Sequence, residues 1–523
     1  MSARRRLLLA ALGGLLLAGL VVLAIRPGSL DLPSGARTGM ASPDDGYWSA
    51  PLRRLAGAGR QDAYDDRLAL SLTLPQNAIG AGAHALGVPY DAARFAAVLL
   101  GAALVGFLIL HRWPGGGFLL PFLVTAPVFC HLGSDLGEGP AFAISTAFAA
   151  AALGRRWMIA GLLAGLGLSQ KACGLFLGVG LLVGVATDAA GRGRAFVRAT
   201  AGVALGVLAS VGTAVWIFGD AALPFLLRPW QATEETGAGL PTLSRLVSMA
   251  FPTHHGVGAA FALPFLVVTL LARRMGPRPP ALVAAAGAGL LFAGSFPDPW
   301  RILPVLPLFA FALHRERGGD EAPPSTSSAP LAPSPPPGPW AALLLVLAAP
   351  QAVGALLAWI GWRPGAIVLT ALSLALILAL STSYAQRARA IPLLAGLAWL
   401  AALVVGAADT ARTLSTRTTQ RIDFAAEVSG LLPADAHLVG YSFLAARFHG
   451  TLWYPPFESL WEPDLRSSGP PTLYRLRTLH TPASALLSVP SGYVLVTSVP
   501  LGPHLYSGDD LLRPMTLDTL KRR

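Results

Sequence analysis

Apolar runs separated by short arginine clusters constrain this chain more than any other feature. They cover roughly residues 1–25, 92–111, 117–131, 139–153, 157–169, 172–187, 199–218, 256–272, 280–295, 302–314, 340–360, 366–384 and 391–408. No soluble core needs so many. With 54% hydrophobic and 13% charged residues, lipid must be the solvent for most of the sequence. Met1–Ile25 starts like a signal peptide, with Arg4, Arg5 and Arg6 before the apolar run. That run is long, and no small-x-small cleavage site precedes Arg26, so it reads as an uncleaved first span. Several runs are shorter than the roughly 20 residues a lone lipid-facing helix needs. Inside a bundle, neighbouring helices cover short ends. The expected fold is an all-α polytopic membrane bundle of about thirteen helices, with a small extracytoplasmic α/β domain at its C-terminus.

Arginine placement gives the orientation. With a cytoplasmic N-terminus, alternate gaps hold Arg112; Arg155 and Arg156; Arg192, Arg194 and Arg198; Arg273, Arg274 and Arg278; Arg315 and Arg317; Arg387 and Arg389. The long loops 26–91 and 219–255 and the tail from Asp409 then fall outside. Keeping the arginines at 192–198 inside requires 157–187 to be two short helices with a turn at Ser169–Lys171. The net charge of +12 is therefore a topology signal. It forms no basic stripe with interleaved aromatics, so the expected partner is the bilayer of the inner (plasma) membrane and not nucleic acid. A disulfide framework is excluded by two cysteines. Cys130 and Cys173 read as buried thiols, with one bridge between them left open.

Composition divides the chain into a body (1–315, with outer loop 26–91), a Pro/Ser-rich cytoplasmic linker (316–339), three further spans (340–408) and an outer α/β domain (409–523). In the last, HLVGY (437–441) and GYVLVTSV (492–499) read as strands, and DFAAEVSGLL (423–432) as a helix.

The candidate chemistry gathers on the outer side. Asp44 and Asp45 lie just beyond the first span, followed by Tyr47 and Trp48. One carboxylate suits a general base toward a hydroxyl, and the other a divalent metal ion. The aromatic rings suit a sugar face, although Pro-Asp-Asp-Gly is also good turn chemistry. His131, Asp135 and Glu138 occupy the short turn before the fourth span. Asp45, Asp135 and Glu138 are the candidate metal ligands. Lys171 is one of only two lysines and sits in an apolar stretch at the outer end of the bundle. A compact ammonium there fits a phosphate, or snorkels to the interface. Arg301 begins the span at 302–314, where positive charge is otherwise scarce. It can pair with Asp298 or hold a phosphate. His254 and His255 end a polar loop on the same side and are weaker substrate-binding candidates. No nucleotide-binding, zinc-finger or nucleophile-elbow motif accompanies these residues, and glycines within the spans read as close helix packing.

In this order, these residues resemble the GT-C superfamily of membrane glycosyltransferases, nearest to the protein O-mannosyltransferase and aminoarabinose-transferase type. The likeness rests on several motifs. Asp44-Asp45 follow the first span, and GVPYDAARFAAVLLGAALVGFLIL (87–110) carries Arg94. SDLGEGPAFAISTAFAAAAL carries Asp135, RRWMIAGLLAGLGLSQKACGLFL carries Lys171, and WRILPVLPLFAFAL carries Arg301. The chain departs from the family pattern in having Asp45 where Glu is common, and Leu74-Pro75-Gln76-Asn77 where an hPP segment is expected. The resemblance implies a polyprenyl-phosphate sugar as donor and a glycan, lipid or protein as acceptor, with inversion at the anomeric carbon. Lys171 and Arg301 would hold the phosphate, and Asp44 would act as base. The rival readings are a secondary transporter and a non-catalytic membrane scaffold. A transporter places charges near the midplane and repeats its halves; here the charges collect on one face and no half-repeat is visible.

Overall fold

The computed structural model describes residues 64–111, 137–188, 191–218, 279–295, 299–312, 420–440, 451–453, 465–478, 489–505 and 512–523, with scattered positions elsewhere, chiefly 11–19. Nearly all of the linker and of the spans expected at 340–408 lies outside these residues, as do the runs at 117–131 (apart from 123 and 129) and 256–272.

The segment 26–91, expected as a loop, is not simply a loop. It contains α1 (Tyr64–Ala85), which breaks at Thr73, where φ is −141° and ψ is 27°. Pro75 accounts for the break, because it lacks an N–H and disfavours helical backbone just before it. The apolar runs that follow form α2 (Ala96–His111), α3 (Glu138–Leu153), α4 (Trp157–Gly167), α5 (Gly174–Thr187), α6 (Arg192–Phe218) and α7 (Pro280–Gly294). A tight helical turn (Pro299–Val305) then leads into α8 (Leu306–Ala312). Among the described residues, only Arg192–Trp216 is both long and apolar enough to cross a membrane alone; the other apolar helices are shorter.

The stretch 157–187 is two helices, as the arginine pattern requires. Trp157 Nε1 donates to Asp188 Oδ2 at 2.6 Å, and Arg155 Nη1 lies 3.9 Å from Asp188 Oδ1. The basic gaps before α4 and after α5 therefore share one end of the bundle. The turn at 168–173 is at the opposite end.

A core of Phe142, Phe148, Phe176, Phe309 and Phe311 joins α3, α5 and α8. The outward faces are also apolar: Leu182, Val197, Leu208 and Trp216 are exposed. Apolar residues facing both inward and outward are what a lipid solvent demands. α4 and α6 meet through glycines. A Cβ added to Gly161 would strike the carbonyl of Ala199, one on Gly202 that of Met158, and one on Gly165 would lie 2.6 Å from Val203 O. Such close approach is the expected use of small residues between membrane helices.

Residues 420–523 contain α9 (Gln420–Leu431), β1 (His437–Val439), β2 (Thr451–Trp453), β3 (Thr472–Thr478), β4 (Tyr493–Leu505) and β5 (Leu512–Arg522). The sheet order is β2-β1-β3-β5-β4, with β1 parallel to β2 and β3, and β5 antiparallel to β3 and β4. The helix and both strands expected from the sequence are present. Leu438, Leu476, Met515 and Leu517 pack with Phe424, Ala425 and Val428 of α9. Arg475, Asp518 and Ser498 stand in register across three strands. Asp518 Oδ2 accepts from Arg475 Nη2 at 2.7 Å and from Arg477 Nε at 2.8 Å, and Oδ1 accepts from Ser498 Oγ at 2.6 Å. Burial pushes the Asp518 carboxyl up. The hydrogen bonds from Ser498, Arg475 and Arg477 outweigh it and hold the group below the usual carboxylate range.

Candidate functional site

The site is built on the turn between α4 and α5. α4 ends at Gly167 and α5 begins at Gly174. Between them, Lys171 and Ala172 both adopt left-handed backbone, with φ of 51° and 52°. Non-glycine residues held there cost on the order of 1–3 kcal/mol each and cluster at functional positions.

The break in α1 supplies the restraint. It frees backbone groups that would otherwise be spent inside the helix. Lys171 N donates to Leu72 O at 2.6 Å, and Leu74 N to Ser169 O at 3.0 Å. Asn77 Nδ2 donates to Thr73 O and Oγ1, at 3.0 and 2.9 Å. Gln170 bridges two elements, accepting from Gln76 N at 3.3 Å and donating from Nε2 to Gly137 O at 2.9 Å. Ser169 Oγ lies 3.0 Å from Ser210 Oγ on α6. The turn is thus tied to α1, to the start of α3 and to α6.

Lys171 Nζ lies 3.5 Å from Glu138 Oε1, and the two side chains are 4% and 8% exposed. Glu138 opens α3, and its Oε2 is buried without a hydrogen-bond partner among the described residues. Gly137 precedes it with φ of 99°. A Cβ at Gly137 would stand 2.6 Å from Lys171 Cε and 2.9 Å from Thr73 Cγ2. Only glycine fits there, on grounds of backbone and of space.

Of the two acids that the sequence places in the turn before the fourth span, Glu138 is the one among the described residues, and it stands against Lys171. Arg301 is half-buried on Pro299–Val305, which packs against α3, the helix that Glu138 begins. Arg94, at the end of a short helical turn (Tyr90–Ala93), is buried with its guanidinium 4.5 Å from the centre of the Phe95 ring. Asp44, Asp45, Tyr47, Trp48, His131, Asp135, His254 and His255 lie outside the described residues. Cys173 is a free, buried thiol, and Cys130 lies outside the described residues. Among the described residues no three His, Cys, Asp or Glu side chains gather to hold a metal ion. Among the described residues, the charged group nearest Glu138 is the Lys171 ammonium; the other two candidate metal ligands, Asp45 and Asp135, are not among them.

No protein-family profile matches the chain, and no curated protein does. Solved structures do. The crystal structure of ArnT from Cupriavidus metallidurans bound to undecaprenyl phosphate superposes with a TM-score of 0.53 at 17% identity, covering 95% of this chain and 97% of that one. The chain has the fold of ArnT. The apo form of ArnT gives a TM-score of 0.50 at 17% identity, covering 97% and 98%. The likeness in fold therefore runs over nearly the whole length of both chains. The ArnT fold is that of a polytopic helical membrane protein, which is also what the apolar runs require.

Proposed function

We propose that the chain is a membrane glycosyltransferase. It moves a hexosyl or pentosyl group from a polyprenyl-phosphate donor to an extracytoplasmic glycan, lipid or protein acceptor, with inversion. The observation that carries the reading is the buried Lys171–Glu138 pair, held by strained backbone within the fold of ArnT, whose structure was solved with undecaprenyl phosphate. A structural ion pair needs no such strain, whereas a cation that must meet a phosphate needs a fixed position.

In this reading the donor enters from the bilayer. Lys171 and Arg301 bind its phosphate, and Glu138 holds the ammonium in place when no donor is bound. Asp44 takes the proton from the acceptor hydroxyl, and Asp45 orients it. The acceptor oxygen forms a bond to the anomeric carbon as the carbon–phosphate oxygen bond breaks on the opposite face. The electron pair leaves with the polyprenyl phosphate, and the two cations stabilise the charge that develops. The active face is extracytoplasmic, and the N-terminus and linker are cytoplasmic.

Undecaprenyl phosphate itself is the test ligand. Native mass spectrometry of the purified protein should show it retained in preference to undecaprenol. Lys171→Met alone would leave Glu138 buried without its partner, a fault worth about 3–5 kcal/mol. The informative variant is therefore Lys171→Met with Glu138→Gln. It should fold to normal abundance and bind the phosphate at least about tenfold more weakly, the loss of one charge-assisted contact. Binding equal to wild type, or equal retention of the alcohol and the phosphate, would overturn the assignment.

A further inference from the structure

We propose that the exposed edge of β4 and the basic end of β5 form a docking surface for anionic phospholipid headgroups. Val494, Leu495, Val496 and Val499 are 37–51% exposed on β4, which lies at the edge of the sheet. An apolar edge ordinarily invites another strand. This backbone is unsuited to that. The pairing with β5 slips between Leu495 and Thr497 and again between Leu501 and Pro503, and Pro500 and Pro503 each remove a donor. What the edge offers is side chains.

The neighbouring charges point to the partner. Val494 pairs in register with Lys521, and Tyr493 with Arg522. Arg522 donates from Nη1 to Gly469 O at 2.9 Å and from Nη2 to Arg466 O at 2.9 Å and Ser467 O at 3.2 Å, so its guanidinium is engaged by backbone and brings Arg466 to the same corner. Arg466, Lys521, Arg522 and Arg523 are all exposed. In the described segments of β3, β4 and β5 the only side-chain carboxylate is Asp518, and it is buried under Arg475, Arg477 and Ser498. Apolar tips flanked by cations fit a bilayer interface, where the tips reach the acyl boundary and the cations meet phosphates. The same polypeptide is anchored in that bilayer, so the surface is presented at high effective concentration.

Hydrogen exchange of the full chain tests this in nanodiscs of phosphatidylcholine alone or mixed with phosphatidylglycerol. Amides at 493–499 should exchange several-fold more slowly in the anionic discs. Raised salt should abolish the difference, as should Lys521→Glu with Arg523→Glu, and exchange of β3 at 472–478 reports that the sheet stays folded. Equal exchange in both lipids overturns the proposal. So does a difference that survives raised salt, or protection that persists in lipid-free detergent, which would indicate a second copy of the chain on the edge.

Discussion

Lys171 shows how a single residue can be placed by others. Its backbone is fixed by Leu72, its stem runs beside Gly137, and its ammonium faces Glu138. Gly137→Ala is the sharpest probe of that arrangement. The new methyl must displace Lys171 and accept a backbone strained by about 1–3 kcal/mol. A melting temperature lowered by a few degrees, with a larger loss of undecaprenyl phosphate binding, is the expected outcome. Full binding would show that the ammonium tolerates displacement. Lys171 was legible in the sequence because a lysine in an apolar run is conspicuous. Glu138 was named there only among several acids, and Gln170 and Thr73 were not singled out. Their roles depend on pairing with residues distant in the chain, 33 apart for Gln170 with Gly137 and 94 apart for Gln170 with Gln76, which leaves no local signal.

At the level of elements, the helices were legible because their apolar runs and arginine gaps are set by the bilayer. The helix inside the loop at 26–91 was missed, since its apolar and polar residues alternate without a clear period and Pro75 reads as a breaker. The glycine contacts between α4 and α6 lead to a second prediction. Gly165→Leu should push the two helices apart and lower expression of folded protein sharply, because the obstacle is the α6 backbone. The exposed Gly212, where an added Cβ meets nothing, supplies the control, and Gly212→Ala should behave as wild type in a thermal-shift measurement.

The whole molecule lives in two solvents, and acid separates them. The Asp518 carboxyl has a folded-state pKa below its unfolded value of about 3.9. Its contribution is therefore complete above that value and is lost as pH falls through the folded one. Once corrected for the intrinsic slowing of amide exchange in acid, the protection of β3 and β5 in the full chain should fall on acidification, while that of α3 to α6 holds. Asp518→Asn should remove this pH dependence and, by leaving Arg475 buried without its carboxylate, destabilise the sheet by about 3–5 kcal/mol at neutral pH. Unchanged exchange in that variant would show that the charge cluster is dispensable.

The seam between α4 and α6 also limits how this chain can drift. In most cores a larger residue on one side is offset by a smaller one opposite. Here Gly165 touches Gly206, and nothing smaller than glycine exists. Neither position can grow first and be rescued later, so paired replacement is closed to this pair. The route left open is a change in the spacing of the helices themselves.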